Sequence, residues 1–124
     1  MGGIVGIFNL ENVQVPEVVD KMCNVIQHRG PHGRAYFFDD YVGLGVVNLN
    51  INDEEFNQPI FNEDQSISLL CDGEIYNAFK LKNLLMQKGH KFLAKNEFEC
   101  LIHLYEEHGV KYFDQINGIV VYRL

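Results

Sequence analysis

Histidine and cysteine side chains are the groups in this sequence best suited to acid–base, nucleophilic or metal chemistry, and they are scattered along it. The histidines are His28, His32, His90, His103 and His108. His103 and His108 are five residues apart, a spacing that does not bring two side chains together on one helical face. No pair of histidines combines with a carboxylate at a typical metal-ligand spacing, so the sequence predicts no metal site.

The cysteines are equally dispersed, at Cys23, Cys71 and Cys100. They form no Cys-x-x-Cys pair, and their odd number is typical of a reducing compartment, which predicts a cytoplasmic protein. Cys71 ends an apolar run and is expected to pack as a small apolar side chain in a strand. It is a weaker candidate for a nucleophile.

The composition is that of a folded domain with an acidic surface. The 124 residues are 47% hydrophobic and carry a formal net charge of −7. This apolar content argues against disorder, and the length predicts a single domain over residues 1–124. A nucleic-acid or anionic membrane surface needs concentrated positive charge, so neither partner is expected. No apolar run approaches the roughly 18–20 residues that span a bilayer.

The elements that must position any site begin with a strand and a helix. Residues 4–8 form a continuous apolar run rich in β-branched side chains, which predicts a strand buried on both faces. Pro16 suits the first turn of a helix, and apolar residues continue at helical spacing to Ile26. Residues 29–33 have the glycine and proline content of a turn.

A hairpin and a further strand are predicted in the middle of the chain. Residues 35–38 and 42–47 read as its two strands. Residues 50–64 are polar and predict a loop, and residues 67–71 predict a strand that enters a turn at Asp72-Gly73.

Two helices and a last strand complete the pattern, at residues 78–88, 97–108 and 119–122. Gly89 and Gly109 are the expected C-terminal caps. The side chains expected to face inward from the first of these helices are Phe79, Leu81, Leu84 and Leu85. The mixture predicts an α+β fold with mainly antiparallel sheets, whose last strand leaves an edge open to association.

Short motifs along nearly the whole chain resemble, in order and spacing, those of one enzyme family. They are residues 1–8 against Met-Cys-Gly-Ile-x-Gly, residues 28–33 against HRGPDG, Gln58-Pro59 against QP, residues 72–77 against NGEIYN, and Asn117-Gly118 against LNG. The sequence therefore resembles class II glutamine amidotransferase domains of the asparagine synthetase type. The resemblance implies an N-terminal nucleophile hydrolase-like α-β-β-α sandwich and a reaction that releases ammonia from glutamine. Family domains continue beyond the Asn-Gly strand, so the sandwich is expected to be truncated here.

The catalytic positions implied by the resemblance carry unsuitable residues. In the family, Met1 is removed and the new N-terminal Cys attacks the amide with its own α-amine as base; here that position is Gly2. The family's oxyanion hole uses an Asn side chain and the N–H of the next Gly; here the pair is Asp72 and Gly73. Asp72 puts an acceptor where a donor is needed, a loss that typically costs ~10²–10³ in rate.

The substrate-binding positions differ from the family pattern to different degrees. The Arg that binds the glutamine α-carboxylate is replaced by Asn48, so a charged clamp becomes a neutral amide. The acidic residues for the substrate ammonium are represented by Glu74, which is retained, and Glu97, which replaces an Asp.

The first hypothesis is a catalytically inactive domain that acts as a binding or oligomerisation module without a cofactor, as a homodimer or with a partner chain that completes the sandwich. The alternative is a disabled or residual glutaminase part of an asparagine synthetase-type enzyme. A third possibility is a sensor that binds glutamine or a related amine weakly through Glu74 and Glu97.

Overall fold

The computed structural model describes residues 2–8, 14–49, 58–93 and 96–123, and contains strands, helices and two short 3₁₀ segments. The strands are β1 (Gly3–Phe8), β2 (Gly33–Phe38), β3 (Val42–Asn48), β4 (Ile60–Phe61), β5 (Ser68–Ile75) and β6 (Gly118–Arg123). The helices are α1 (Val15–Val25), α2 (Ala78–Gln87) and α3 (Glu99–His108), and the 3₁₀ segments are Gln27–Arg29 and Gly109–Gln115. In these described ranges, no helix is both long and apolar enough to cross a lipid bilayer.

The strands form two antiparallel sheets. In the first, β3 lies between β1 and β2, with Gly3 opposite Val47 and Phe38 opposite Gly43. In the second, β5 lies between β4 and β6, with Ile60 opposite Leu69. The central strand of each sheet thus has a partner on both sides.

The alternation of side chains along β3 explains how the first sheet packs on both faces. Leu44 and Val46 point to the second sheet and share a core cluster with Leu70 of β5. Gly43 and Gly45 point the other way, towards α1. A Cβ atom added at Gly45 would lie 2.6 Å from the Sγ of Cys23, so α1 lies close to the sheet because Gly43 and Gly45 have no side chains on this face.

The second sheet is covered on its outer face by α2 and α3. Leu69 and Cys71 of β5 pack in one cluster with the inward residues of these helices. Those helix residues are Ala78, Leu81, Leu85, Cys100, Leu101, Ile102 and Leu104. The layers therefore follow the order α1, first sheet, second sheet, α2 with α3, which is an α-β-β-α sandwich.

The ends of the helices follow the sequence signals. Pro16 lies in the first turn of α1. Gly89 and Gly109 follow α2 and α3 with φ angles of 95° and 59°, a region that favours glycine. Both predicted C-terminal caps are therefore confirmed.

Some predictions about individual residues are wrong. β5 does not end at a turn but runs through Asp72 and Gly73 to Ile75, because both residues pair with β6. β1 is an edge strand whose Gly6 and Phe8 are exposed, so it is not buried on both faces. The predicted loop contains the short strand β4, and its residues 50–57 lie outside the described residues.

The inward face of α2 is narrower than predicted. Ala78, Leu81 and Leu85 are buried, whereas Phe79 is 80% exposed and Leu84 is 47% exposed. The spacing of the three buried residues places them on one stripe, and Phe79 and Leu84 fall outside it.

Candidate functional site

Gly2, the predicted nucleophile position, lies buried just before β1, and side chains from elsewhere bind both of its backbone polar groups. Its N–H donates a hydrogen bond of 2.7 Å to Oδ1 of Asp72 in β5. Its carbonyl oxygen accepts one of 2.9 Å from Nε of Arg29. A single residue of the first sheet is thereby tied to the second sheet and to the turn after α1.

The space beside Gly2 is closed by the end of β3. A Cβ atom added at Gly2 would lie 1.9 Å from the carbonyl oxygen of Val47 and 3.3 Å from Cα of Asn48. A Cβ atom at Gly30 would lie 2.5 Å from the backbone nitrogen of Asn48. The last peptide of β3 thus lies against two glycines, and no side chain fits at position 2 unless the backbone moves.

Asn48 lies at this meeting point because β3 ends there. The carbonyl oxygen of Asn48 accepts a hydrogen bond of 3.0 Å from the backbone N–H of His32. Asn48 also forms an isolated parallel β-bridge with Pro31. The turn that resembles the family's HRGPDG motif therefore packs on Asn48, the predicted counterpart of the family's Arg. The structure brings Gly2, Asn48 and Asp72 together.

Asp72 is positioned by the register of β5. Two residues before it, Leu70 points towards the first sheet, and the alternation directs Asp72 to the same side. The preceding residue is held by the amide of Gln58, which accepts from the N–H of Cys71 and donates to its carbonyl oxygen, each at 2.7 Å. Gly73, the second residue of the predicted oxyanion hole, has a φ angle of 137°, which favours glycine there.

The two acidic candidates lie in different surroundings. Glu74 is exposed, and by the alternation of β5 it points to the same face as Asp72. Glu97 precedes α3 and is also exposed. Its negative charge raises the pKa of the thiols of Cys71 and Cys100, which places it near those side chains.

The cysteine thiols do not offer a replacement nucleophile. Burial raises the pKa of Cys71 far above its usual range, and the charge of Asp72 adds to the effect. Burial likewise raises the pKa of Cys100 to about 12 and raises that of Cys23. All three are free and buried, and a thiol that keeps its proton is a poor nucleophile. The prediction that Cys71 packs as a small apolar side chain is confirmed.

Sequence reasoning missed part of the support for this site. The sequence identifies Arg29 and Gly30 only as residues of a turn and of the HRGPDG-like motif, yet Arg29 binds Gly2 and Gly30 makes room for the end of β3. The sequence identifies Gln58 only as part of a motif, although its side-chain amide forms two hydrogen bonds with the backbone of β5 beside Asp72. A glutamine before a proline carries no local signal of a long-range backbone contact.

A groove of about 340 Å³ opens at the opposite end of the sheets. It is lined by residues that include Phe8, Phe37, Val42 and Tyr105. Phe8 and Val42 pair at one end of β1 and β3, whereas Gly3 and Val47 pair at the other. The groove is therefore separate from Gly2 and Asp72.

Comparison with known proteins identifies the family. A sequence model described as a glutamine amidotransferase domain matches residues 1–124. The chain belongs to this family. This amidotransferase domain is 37% identical over 124 residues to the glutamine-hydrolyzing asparagine synthetase 2 of Bacillus subtilis (strain 168). It is 32% identical over 127 residues to asparagine synthetase 1 of the same organism.

The amidotransferase domain corresponds to a small part of those relatives. The two matches cover 96% and 98% of this chain but only 16% and 20% of the asparagine synthetases. The domain also resembles a solved structure described as the allosteric regulatory enzyme of purine biosynthesis, with a TM-score of 0.79 and 20% identity. That match covers 98% of this chain and 34% of the other, and confirms the predicted α+β, N-terminal nucleophile hydrolase-like fold.

Proposed function

We propose that this amidotransferase domain does not hydrolyse glutamine and instead serves as a binding module. The observation that carries the proposal is the contact at the nucleophile position. Gly2 has no side chain, its N–H is given to the carboxylate of Asp72 at 2.7 Å, and the space for a side chain is filled by the backbone of Val47.

The loss of the nucleophile supports the proposal. Covalent amide hydrolysis needs an atom that attacks the carbonyl carbon and a group that takes its proton. Gly2 has no side chain, and its nitrogen donates a hydrogen bond to the carboxylate of Asp72. Gly2 therefore supplies no attacking atom.

The surroundings of the missing nucleophile support the same conclusion. Asp72 presents oxygen atoms that accept hydrogen bonds, whereas a tetrahedral oxyanion requires donors. Asn48 has a neutral amide where a carboxylate-binding cation is expected. Without that cation, glutamine loses the charged contact that would orient its amide group.

An assay of glutamine turnover tests the proposal. Purified protein is incubated with glutamine, and glutamate and ammonia are quantified beside an active glutamine-hydrolyzing asparagine synthetase. We expect no release above that of buffer, and no covalent adduct when an electrophilic glutamine analogue is followed by intact-mass spectrometry. Equal amounts of glutamate and ammonia, produced by the purified chain and reduced by Gly73→Pro, would support the residual-glutaminase alternative.

The binding role is proposed to act through association with another protein chain, either a second copy or a partner. Phe79 and Met86 support this, since they are seven residues apart on α2 and are 80% and 54% exposed. Light scattering after size exclusion measures the mass directly. A monomer at micromolar concentration that is unaffected by Phe79→Ser would argue against self-association.

Weak binding of glutamine or an amine at Glu74 is a separate proposal. Its support is the exposed carboxylate of Glu74, which points to the same side of β5 as Asp72. Calorimetric titration with glutamine, asparagine and simple amines tests it. Heats equal to those of dilution would remove this candidate.

A further inference from the structure

A cluster of two histidines and a glutamate forms between α3 and the segment that follows α2. His90, His103 and Glu106 each offer one ligand atom, and these atoms all lie within 4.8 Å of one another. The rings of His90 and His103 have centroids 4.8 Å apart. We propose that this cluster binds a divalent transition-metal ion, with Zn²⁺ as the best match to its donors. The amidotransferase chemistry makes no use of these residues.

The spacing in sequence hides this cluster. The sequence predicts no metal site because its histidines are dispersed, and His90 and His103 lie in different elements. The chain turns at Gly89, the N–H of His90 donates a 3.1 Å hydrogen bond to the carbonyl oxygen of Leu85 in α2, and the ring of His90 lies against that of His103 in α3. The fold therefore creates a proximity that no helical or strand period indicates.

The buried histidine is oriented as metal-binding histidines commonly are. His103 is 0% exposed, and its Nδ1 lies 3.0 Å from Oε1 of Glu106. Its Nε2 lies 3.5 Å from Oε1 of Glu99, a carboxylate that is 1% exposed. In the metal-free structure Nδ1 donates to the nearer carboxylate, Glu106. A metal ion on Nδ1 would take the place of that proton and leave the ring proton on Nε2, which faces Glu99.

The Nε2 atom of His103 also lacks a geometrically sound hydrogen bond among the described residues. A buried, unpaired ring nitrogen is costly, and a metal on Nδ1 makes the Nε2–H a stronger donor to Glu99. Binding of a metal would therefore improve a contact that is only 3.5 Å long in this structure. This gives the protein a physical reason to prefer the metal-bound state.

The surrounding charges are compatible with a cation. Glu107 accepts a 2.6 Å hydrogen bond from His90. Glu99, Glu106 and Glu107 are opposed by Lys88 at 3.6 Å from Glu107. Farther out, Lys82 lies 5.4 Å from the centre of the Phe92 ring, which packs edge-on against His103.

The donor set selects the class of ion. Two imidazole nitrogens and one carboxylate suit Zn²⁺, Co²⁺ or Ni²⁺, whereas Mg²⁺ and Ca²⁺ prefer oxygen ligands. Three protein ligands leave a fourth position of the zinc tetrahedron for water. Glu106 is exposed, so an ion can enter from solvent.

The experiment is a titration of the whole chain with zinc chloride by calorimetry, in the presence of a non-metal-binding reductant and after treatment with a chelator. We expect one Zn²⁺ per chain with a micromolar or lower Kd. Addition of Co²⁺ should give the visible absorption of a tetrahedral site. No saturable binding of Zn²⁺, or a Co²⁺ spectrum of the hydrated ion alone, would overturn the proposal.

Variants of His90 and Glu106, which lie outside the buried core, identify the ligands at little risk to folding. His90→Gln and Glu106→Gln should each weaken binding at least about tenfold, since each removes one ligand. His108→Gln is the matched control, because His108 is exposed on the same helix and lies outside the cluster. Glu99→Gln tests the positioning role and should shift the Co²⁺ spectrum and weaken binding. Unchanged affinity in both ligand variants would assign the ion to other residues and end the proposal.

Discussion

The backbone N–H of Gly2 and the carboxylate of Asp72 are joined by a hydrogen bond of 2.7 Å, although Gly2 precedes the first sheet, Asp72 lies in the second, and they are 70 positions apart. The sequence resemblance implies that catalytic members of the family carry the attacking residue and an oxyanion donor at these positions. Here the two residues bind each other. The contact therefore links the two layers of the sandwich.

Replacement of Gly2 by Cys should not create a glutaminase. The new Cβ atom would lie 1.9 Å from the carbonyl oxygen of Val47, so the end of β3 must move. Overpacking of this kind costs about 1–3 kcal/mol in the free energy of unfolding, measured by chemical denaturation. Gly2→Ala is the matched control, since it adds the same Cβ atom without a thiol and should destabilise the protein about equally.

The activity of the Gly2→Cys protein separates two explanations for the glycine. Steric closure and the defects at Asp72 and Asn48 predict no ammonia release from glutamine. Turnover by this single variant, at a stability equal to that of the parent, would mean that the loss of the thiol alone disables the site.

Removal of the Asp72 carboxylate should weaken the link between the sheets. Asp72→Ala leaves the N–H of Gly2 without its acceptor, and the expected loss in the free energy of unfolding is about 1–2 kcal/mol. Asp72→Asn keeps an oxygen that can accept the same bond and should cost less than half as much. Glu74→Ala, at an exposed position of the same strand, serves as the control and should change stability little. An equal effect of all three variants would show that the hydrogen bond contributes nothing.

The buried thiols should resist modification in the folded protein. Burial raises the pKa of Cys71 and Cys100, the latter to about 12, so few thiolates exist at pH 8. An aromatic disulfide reagent should therefore label neither residue until denaturant is added. Peptide mapping by mass spectrometry identifies each site, and rapid labelling of Cys71 in the native protein would contradict its assigned burial.

The same thiols should make the protein less stable at alkaline pH. An unfolded cysteine loses its proton near pH 9.0, whereas Cys100 retains its proton up to about pH 12 in the folded state. Between these values the folded protein binds more protons, so its stability falls as pH rises. Cys100→Ala should flatten this part of the stability profile measured by denaturant titration. If the dependence of stability on pH is unchanged in this variant, other groups cause the loss of stability at alkaline pH.

Close packing of α1 on β3 can be measured with a double-mutant cycle. Gly45→Ala places a methyl group 2.6 Å from Sγ of Cys23 and 3.0 Å from Cγ1 of Val19, and should cost about 1–3 kcal/mol. Cys23→Ala removes the nearest of these atoms. The double variant should therefore be more stable than the sum of the single effects by about 0.5–3 kcal/mol.

Gly6→Ala combined with Cys23→Ala is the control cycle, because these two residues do not meet. A Cβ atom at Gly6 would meet Leu44, not Cys23. Its effect should add to that of Cys23→Ala within about 0.5 kcal/mol. Non-additivity in both pairs would indicate a general response of the core instead of a specific contact.

The sequence predicts most helices and strands because their apolar periods are strong. It fails where a long-range partner decides the outcome. Asp72-Gly73 has the local chemistry of a turn, but pairing with β6 holds it in a strand. Phe79 is apolar and lies on a helix, yet the stripe through Leu81 and Leu85 is the one that meets the sheet.

The candidate site was predictable only in part for the same reason. The motif resemblance identifies Gly2, Asn48 and Asp72 as candidate site residues, and the fold brings them together. The motifs do not indicate how much space lies beside Gly2, because that space depends on the backbone of Val47 in another strand. The pairing of His90 with His103 also depends on a turn and not on any repeat of residue types.

The carbonyl oxygen of Val47 beside Gly2 has an evolutionary consequence. A mutation that introduces a cysteine codon at position 2 creates a misfit in the fold before it can supply a thiol for chemistry. A thiol at this position requires a prior shift of a strand end, which brings no benefit by itself. The packing at Val47 therefore disfavours the appearance of a thiol at position 2 by a single mutation.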